Sequence, residues 1–125
     1  MDSKNYFTAT HAGHFDSAHF LEEHEGKCKR LHGHRWDVRL SIRTKALNKQ
    51  GMVADFARLK EILSAQTEKL DHYLLNELFT FTPTAENITK WIYRQVRKEL
   101  KGNSAWEIAI EVDESPGNTV RYGEF

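Results

Sequence analysis

The sequence predicts one α+β domain with the element order ββααββ, in which two helices cover one face of a four-stranded antiparallel sheet. Three observations support this fold class. Apolar and polar residues alternate in two segments, 34–45 and 105–113, which is the pattern of half-buried strands. Between them, two segments repeat apolar residues every three or four positions, which is the pattern of amphipathic helices. The 125 residues suit a single domain over 1–125 with a sizeable core.

The N-terminal part is predicted to supply two strands. Residues 6–15 mix aromatic residues with threonine and histidine, a composition that favours a first strand. The second strand should run from His34 to Lys45, with one apolar and one polar face. Residues 48–51, Asn-Lys-Gln-Gly, are typical of a turn. The apolar face of the second strand consists of Trp36, Val38, Leu40 and Ile42.

Two helices follow, each with a capping residue and an apolar stripe. Asp55 is the predicted N-cap of the first helix, which should fray near residues 70–76. Thr84, which follows Pro83, is the predicted N-cap of the second helix, and Gly102-Asn103 is a typical C-terminal end. The stripes predicted to be buried are Phe56, Leu59, Ile62, Leu63 and Leu70 in the first helix, and Ile88, Trp91, Ile92, Val96 and Leu100 in the second.

Two further strands complete the predicted sheet. Segment 105–113 forms the third strand, and a turn at residues 115–118 leads into the last strand, 119–125. A four-stranded sheet of this kind has two free edges, which are a liability unless they are covered or paired. Pairing the edges of several copies in a ring would close a barrel, so we expect a homo-oligomer.

Composition argues against several classes of protein. Lysine plus arginine and aspartate plus glutamate both number 18, so no general affinity for nucleic acid is expected. The single cysteine cannot form an internal disulfide, which fits a reducing compartment. No run is apolar enough to span a membrane, and residues 1–6 lack the apolar core of a signal peptide. We therefore expect a cytoplasmic protein with no membrane partner.

Histidines are concentrated in the first third of the chain and include a pair spaced as metal ligands. His32 and His34 lie two residues apart near the start of the second strand, so their imidazoles point to the same face. A third imidazole from His19 would leave one coordination position open, which is how catalytic zinc sites are built. We predict that these three residues bind Zn²⁺. The rival ligands are His11, His14 and His24.

The single cysteine, Cys28, lies four residues before the histidine pair, and two interpretations are open. It could be a fourth zinc ligand, which would close the shell and make the site structural. It could instead be a reactive thiolate beside the metal, favoured by the positive charge of Lys27, Lys29 and Arg30.

Two other polar features invite a functional interpretation. Glu114 continues the parity of the apolar face of the third strand, and a carboxylate on such a face needs a partner. It would either accept hydrogen bonds from a ligand with adjacent N–H groups, or simply belong to a turn after the strand has ended. Asp71-His72 would either be an imidazole oriented by a carboxylate for proton transfer, or only the end of a helix.

Six short motifs are spread over nearly the whole chain. They are Phe15-Asp16-Ser17-Ala18-His19, Cys28-x3-His32-Gly33-His34, Gly51-Met52-Val53-x-Asp55-Phe56, Leu70-Asp71-His72-x3-Asn76, Pro83-Thr84-Ala85-Glu86-Asn87 and Glu114-Ser115-Pro116. Together and in this order they resemble the 6-pyruvoyl-tetrahydropterin synthase family. The three residues between Cys28 and His32 are similar to the 6-carboxy-tetrahydropterin synthase branch, which serves 7-deazapurine (queuosine) synthesis, whereas the pyruvoyl-forming branch has a longer gap. Ser115 stands where the family usually has threonine, and Ser17 where alanine is common.

The resemblance implies a tunnelling fold (T-fold) assembled into a hexamer of two trimers, with active sites between subunits. It implies a zinc-dependent lyase that converts 7,8-dihydroneopterin triphosphate to 6-carboxy-5,6,7,8-tetrahydropterin, releasing triphosphate and acetaldehyde. By the same resemblance, Cys28, Asp71 and His72 handle protons, while Glu114 anchors the pterin ring and Thr84 lines its pocket. The cations Lys27, Lys29 and Arg30 would either hold the triphosphate or form a solvated loop.

Two alternatives remain open from the sequence. One is the pyruvoyl-forming synthase of the same family, which would eliminate triphosphate without releasing acetaldehyde. The other is a zinc-stabilised module that binds a pterin- or purine-like ring through Glu114 without turnover.

Overall fold

The computed structural model describes residues 4–103 and 105–125; residues 1–3 and residue 104, which the predicted domain 1–125 includes, lie outside the described residues. A short 3₁₀ turn, Lys27–Lys29, interrupts the loop between the first two strands. None of the described helices is long and apolar enough to cross a membrane. The elements are β1 (Phe7–His19), β2 (His32–Thr44), α1 (Phe56–Leu70), α2 (Leu75–Leu78), α3 (Ala85–Glu99), β3 (Glu107–Ser115) and β4 (Asn118–Gly123).

The four strands form one sheet in the order β1-β2-β3-β4, and every neighbouring pair is antiparallel. Helix α1 packs against β1, and α3 packs against β3 and β4. The predicted α+β class and the ββααββ order are therefore confirmed. The short helix α2 is an addition that the sequence did not predict, because four residues are too few to show a helical period.

The core lies between one face of the sheet and the two long helices. Trp36 of β2 is fully buried and stacks on Phe15 of β1, with ring centroids 5.6 Å apart. The predicted stripes of α1 and α3 are buried except at two positions. Phe56 is 60% exposed, since the chain enters α1 there from a surface loop, and Trp91 is only half-buried.

Several strand boundaries differ from the predictions, including the start of β3 at Glu107 and the end of β4 at Gly123, and three of the differences lie together at one end of the sheet. β1 continues beyond its predicted end to His19, and β2 begins early at His32, because these two residues pair across the hairpin. β3 continues to Ser115, so Glu114 lies within the strand and its interpretation as a turn residue is wrong. The sheet thus extends past its apolar core, and the extension carries polar side chains.

The expectation of two free sheet edges needs one correction, at the end of β1. The N–H group of Ala18 donates to the carbonyl of Tyr73 at 3.1 Å. The side-chain amide of Asn76 bonds both main-chain groups of Phe20, at 2.9 Å each. Residues 71–76 therefore cover the edge of β1 nearest to His19. The opposite edge is β4, most of whose residues are exposed.

A capping substitution tests the local origin of α1. The carboxylate of Asp55 accepts a hydrogen bond from the N–H group of Ala57 at 2.9 Å. We expect Asp55→Ala to lower the free energy of unfolding by about 1 kcal/mol, because that N–H group loses its acceptor. Asp55→Asn keeps an acceptor oxygen and should lose much less stability. Urea titration of the two variants measures the difference, and equal losses would contradict the capping role.

Candidate metal centre

Three imidazoles meet at the end of the sheet where β1 finishes and β2 starts. His19 and His32 lie opposite each other across the hairpin, and His34 lies two residues further along β2 on the same face. This face also carries the core, and the rings of His19 and His34 pack edge-on against Trp36. The structure therefore brings together the three residues predicted to bind zinc.

The free nitrogen atoms of these imidazoles fit a metal ion. The three Nε2 atoms are buried and have no hydrogen-bond partner among the described residues, an arrangement that is costly unless something binds there. Nδ1 of His19 donates to the carbonyl of Pro83 at 2.8 Å, and Nδ1 of His32 donates to the carbonyl of Arg30 at 2.6 Å. A carbonyl can only accept, so in these two rings Nε2 presents its lone pair. Zinc-binding histidines are oriented in this way.

The environment of two of the imidazoles favours their neutral form, which is the form that binds a metal ion. Desolvation by burial lowers the pKa of His19 and of His34 below the usual 6.5, and the neighbouring His32 adds to the effect. The carboxylate of Glu114 acts in the opposite direction on both rings. Both rings are therefore neutral at pH 7, which is the state that coordinates a metal ion.

Glu114 is the fourth member of the cluster. The ligand atoms of the three histidines and Glu114 all lie within 4.8 Å of one another. Oε1 of Glu114 is 3.4 Å from Nε2 of His34 and 3.7 Å from Nε2 of His19. β3 and β4 shift register between Asp113 and Ser115, which leaves Glu114 as the extra, unpaired residue of a β-bulge. Bulges redirect side chains, and this one accompanies a carboxylate that faces the imidazoles.

The rival histidine ligands stay outside this cluster. His14 is exposed and lies on the face of β1 opposite to His19. His11 lines a pocket against α1, and the imidazole of His24 accepts a hydrogen bond from the N–H group of Gly26 at 2.8 Å. The geometry thus favours His19 over each of the alternatives as the third ligand.

Cys28 lies in the 3₁₀ turn and is not a member of the cluster. Its thiol is free and half-buried, and its carbonyl accepts a hydrogen bond from the N–H group of Leu21 at 2.7 Å. The position beside the three imidazoles is taken by Glu114 instead. In the described part of the chain, no hydrogen bond or ion pair joins Cys28 to Asp71 or His72. The described part of a single chain therefore bonds Asp71 to His72 but bonds neither of them to Cys28.

Asp71 and His72 form a direct pair on the edge of β1. Nδ1 of His72 donates to Oδ2 of Asp71 at 2.7 Å, and Oδ1 of Asp71 accepts from the N–H group of Asp16 at 2.8 Å. Both hydrogen bonds lower the pKa of the Asp71 carboxyl below its usual value, and the bond from Asp16 has the larger effect. His72 adopts a φ of 61°, in the left-handed region, and its side chain is 81% exposed. Asp71 is also the C-cap of α1, so the dipeptide both ends the helix and pairs an imidazole with a carboxylate, while its part in proton transfer stays a prediction.

The start of α3 connects the metal cluster to a neighbouring pocket. Thr84 is the N-cap, as predicted, and its hydroxyl accepts a hydrogen bond from the N–H group of Asn87 at 3.1 Å. The residue before it, Pro83, supplies the carbonyl that holds His19. Glu114 and the first turn of α3 line a pocket of about 350 Å³. Thr84 is not among its lining residues, so the contact of Thr84 with a ligand stays a prediction.

Three residues that support the site were missed by the sequence analysis. Pro83 and Arg30 hold two of the imidazoles, and Asp16 holds Asp71 and His72. Each acts through its main chain, so its side-chain type carries no signal for this role. Only their place in the sequence could have indicated this role, because each of the three lies within or beside a motif that also contains a predicted site residue.

Comparison with known proteins gives a consistent result. The sequence profile of the family described as 6-pyruvoyl tetrahydropterin synthase matches residues 8–124. The chain is 41% identical to a 6-carboxy-5,6,7,8-tetrahydropterin synthase from Synechocystis, over 67% of this chain and 70% of the relative. It is 35% identical to a dihydroneopterin monophosphate aldolase from Pyrococcus furiosus, over 74% of this chain and 82% of the relative.

The fold also matches a solved structure over its whole length. The structure of Caenorhabditis elegans 6-pyruvoyl tetrahydropterin synthase superimposes with a TM-score of 0.84 at 26% sequence identity, and the match covers 100% of both chains. The T-fold implied by the sequence motifs is thereby confirmed for the single chain.

Proposed function

Because this chain belongs to the 6-pyruvoyl tetrahydropterin synthase family, we propose that it is a zinc-dependent lyase that forms 6-carboxy-5,6,7,8-tetrahydropterin from 7,8-dihydroneopterin triphosphate. The co-products are triphosphate and acetaldehyde, and the proposed role is in cytoplasmic 7-deazapurine (queuosine) synthesis. The observation that supports a metal enzyme is the set of three buried Nε2 atoms that have no hydrogen-bond partner among the described residues. The name of the Synechocystis relative and the three-residue gap between Cys28 and His32 favour this product.

In this proposal His19, His32 and His34 hold the zinc. Neutral imidazoles leave the ion its full double charge. When bound, zinc supplies Lewis acidity, which acidifies side-chain hydroxyls of the substrate and the neighbouring C–H group. The carbonyls of Pro83 and Arg30 fix the orientation of two of the rings, as outer partners of metal-binding histidines do.

Proton transfer is assigned to the thiol of Cys28 and to the imidazole of His72. Lys27 and Lys29 flank Cys28 in the 3₁₀ turn, and in this assignment the thiolate of Cys28 removes a carbon-bound proton. His72 keeps one ring nitrogen on the carboxylate of Asp71, which leaves Nε2 to deliver a proton to the substrate. Asp71 stays ionised in this role because the N–H group of Asp16 stabilises its charge.

The pterin ring is assigned to Glu114. Its carboxylate can accept two N–H groups at once, which matches the 2-amino and N3 edge of a pterin. Glu114 lies both beside the imidazoles and on the wall of the 350 Å³ pocket. A ring bound there would hold its side chain near the metal ligands, and Thr84 would complete the same pocket.

We further propose a homo-oligomer whose active sites lie between subunits, with a hexamer of two trimers as the expected form. Among the described residues of one chain, no hydrogen bond or ion pair joins Cys28 to His72, which fits a proton-handling set that a second copy completes. The exposed edge strand β4 offers a surface for pairing with another sheet.

A specific observation favours one further candidate. The Pyrococcus relative is named for an aldolase reaction on dihydroneopterin monophosphate, and its identity to this chain is close to that of the synthase relative. An aldolase would cleave the bond between the two hydroxyl-bearing carbons of the side chain. The pyruvoyl-forming synthase and a non-catalytic pterin-binding module are the remaining alternatives.

Product analysis tests the proposal. We expect zinc-loaded protein to convert 7,8-dihydroneopterin triphosphate to 6-carboxy-5,6,7,8-tetrahydropterin with equal amounts of acetaldehyde and triphosphate, measured by mass spectrometry. A pyruvoyl product without acetaldehyde would favour the other synthase. Exclusive cleavage of the monophosphate, with release of a phosphorylated two-carbon aldehyde, would favour the aldolase. Pterin binding with no product from either substrate would favour the binding module.

A further inference from the structure

The loop between β1 and β2, residues 20–31, separates its charges into two halves. Its acidic side chains precede Gly26 and its basic side chains follow it. All six charged residues are exposed, and none takes part in an ion pair or side-chain hydrogen bond within the described part of the chain. The acidic residues are Glu22, Glu23 and Glu25, and the basic ones are Lys27, Lys29 and Arg30.

The 3₁₀ turn brings two of these cations close together in the chain. The N–H group of Arg30, the extended C-cap, donates to the carbonyl of Lys27 at 3.0 Å, which closes the turn. The two cationic residues are therefore held near each other by a main-chain hydrogen bond. Two like charges in this position repel each other. An anion bound between them would remove that repulsion.

The basic side of the turn adjoins the metal cluster. The carbonyl of Arg30 accepts the hydrogen bond from Nδ1 of His32 at 2.6 Å, so the main chain of Arg30 contacts a predicted zinc ligand directly. Cys28, the proposed base, lies in the same turn. An anion held by Lys27 and Arg30 would therefore lie beside the reacting end of the substrate.

We propose that Lys27 and Arg30, assisted by Lys29, bind the polyphosphate chain of the substrate and select a triphosphate over a monophosphate. This inference rests on the proposed function. Several cations discriminate between the two because a triphosphate carries more negative charge and more acceptor oxygens than a monophosphate. The guanidinium group can bind two phosphate oxygens at once, and the ammonium groups add point charges.

Binding of inorganic tripolyphosphate to zinc-loaded protein tests this site without turnover. We expect the double variant Lys27→Ala/Arg30→Ala to bind tripolyphosphate about tenfold to a hundredfold more weakly by calorimetry, while the weak binding of orthophosphate changes little. The matched control is Lys98→Ala/Lys101→Ala, which removes the same net charge from exposed residues at the end of α3. Equal losses in both double variants would reduce the effect to net charge and overturn the proposal.

Kinetics separate this site from the catalytic machinery. The double variant should raise KM for 7,8-dihydroneopterin triphosphate about tenfold or more, because the lost contacts bind the substrate. A fall in kcat with KM unchanged would instead report the loss of positive charge beside Cys28. An unchanged KM, together with unchanged tripolyphosphate binding, would overturn the assignment of these residues. If the wild-type protein turns over no triphosphate substrate, the proposed function fails, yet the calorimetric comparison still decides whether the turn binds polyphosphate.

Discussion

Replacement of Cys28 by alanine is expected to leave zinc bound and to reduce turnover of 7,8-dihydroneopterin triphosphate by about 10²- to 10⁴-fold, the usual contribution of a positioned general base. The physical reason is that the thiol is not a member of the metal cluster, so its replacement removes none of the clustered ligand atoms. Glu114, rather than Cys28, takes the position beside the three imidazoles. The measurements are the zinc content of the purified variant and the rate of product formation under saturating substrate.

The control for this experiment is His24→Ala. His24 lies in the same loop and is exposed, and the one described hydrogen bond of its imidazole comes from the N–H group of Gly26. That variant should keep both zinc and turnover. Loss of zinc on replacement of Cys28 would identify the cysteine as a ligand and would overturn its assignment as a base.

Replacement of His32 by alanine is expected to remove most of the bound zinc and all measurable turnover. His32 supplies one of the three buried Nε2 atoms that have no described hydrogen-bond partner. Its loss leaves two imidazoles, which are too few for a tight zinc site. Circular dichroism should show a retained fold, because the apolar core between the sheet and the helices does not include this side chain. Zinc content per chain and product formation are the measurements.

His14→Ala is the matched control for the metal site. It removes an imidazole from the neighbouring strand, on the opposite face of the sheet from the cluster. This variant should retain its zinc and its activity. Loss of zinc from the His14 variant, with zinc retained in the His32 variant, would contradict the assignment of the ligands.

The fold was largely predictable from the sequence because its elements carry strong local patterns. The alternation around Leu40 and Ile110, and the capping residues Asp55 and Thr84, each indicate an element without reference to the rest of the chain. The extension of β1 to His19 was not predictable in this way. Its residues join the strand because they pair with the start of β2 and with residues 71–76, and such long-range pairing leaves no local period.

In the candidate site, too, a local sequence pattern predicted some features, while others depend on contacts between distant parts of the chain. The histidine spacing identified the three imidazoles, since residues two apart in a strand share a face. The supporting contacts are main-chain groups of Pro83, Arg30 and Asp16, which no side-chain pattern encodes. The orientation of His72 depends on a left-handed backbone conformation, which sequence alone does not reveal in a residue other than glycine.

The pairing of His19 with His32 across the hairpin has a consequence for how proteins of this kind diverge. The loop 20–31 leaves and re-enters the sheet at neighbouring positions. Each doubling of the length of such a loop costs only about 0.6 kcal/mol in closure entropy, and the ligands at its two ends need not move. The strands that carry His19 and His32 can thus keep their pairing while the loop, with its thiol and its cations, varies in length and composition.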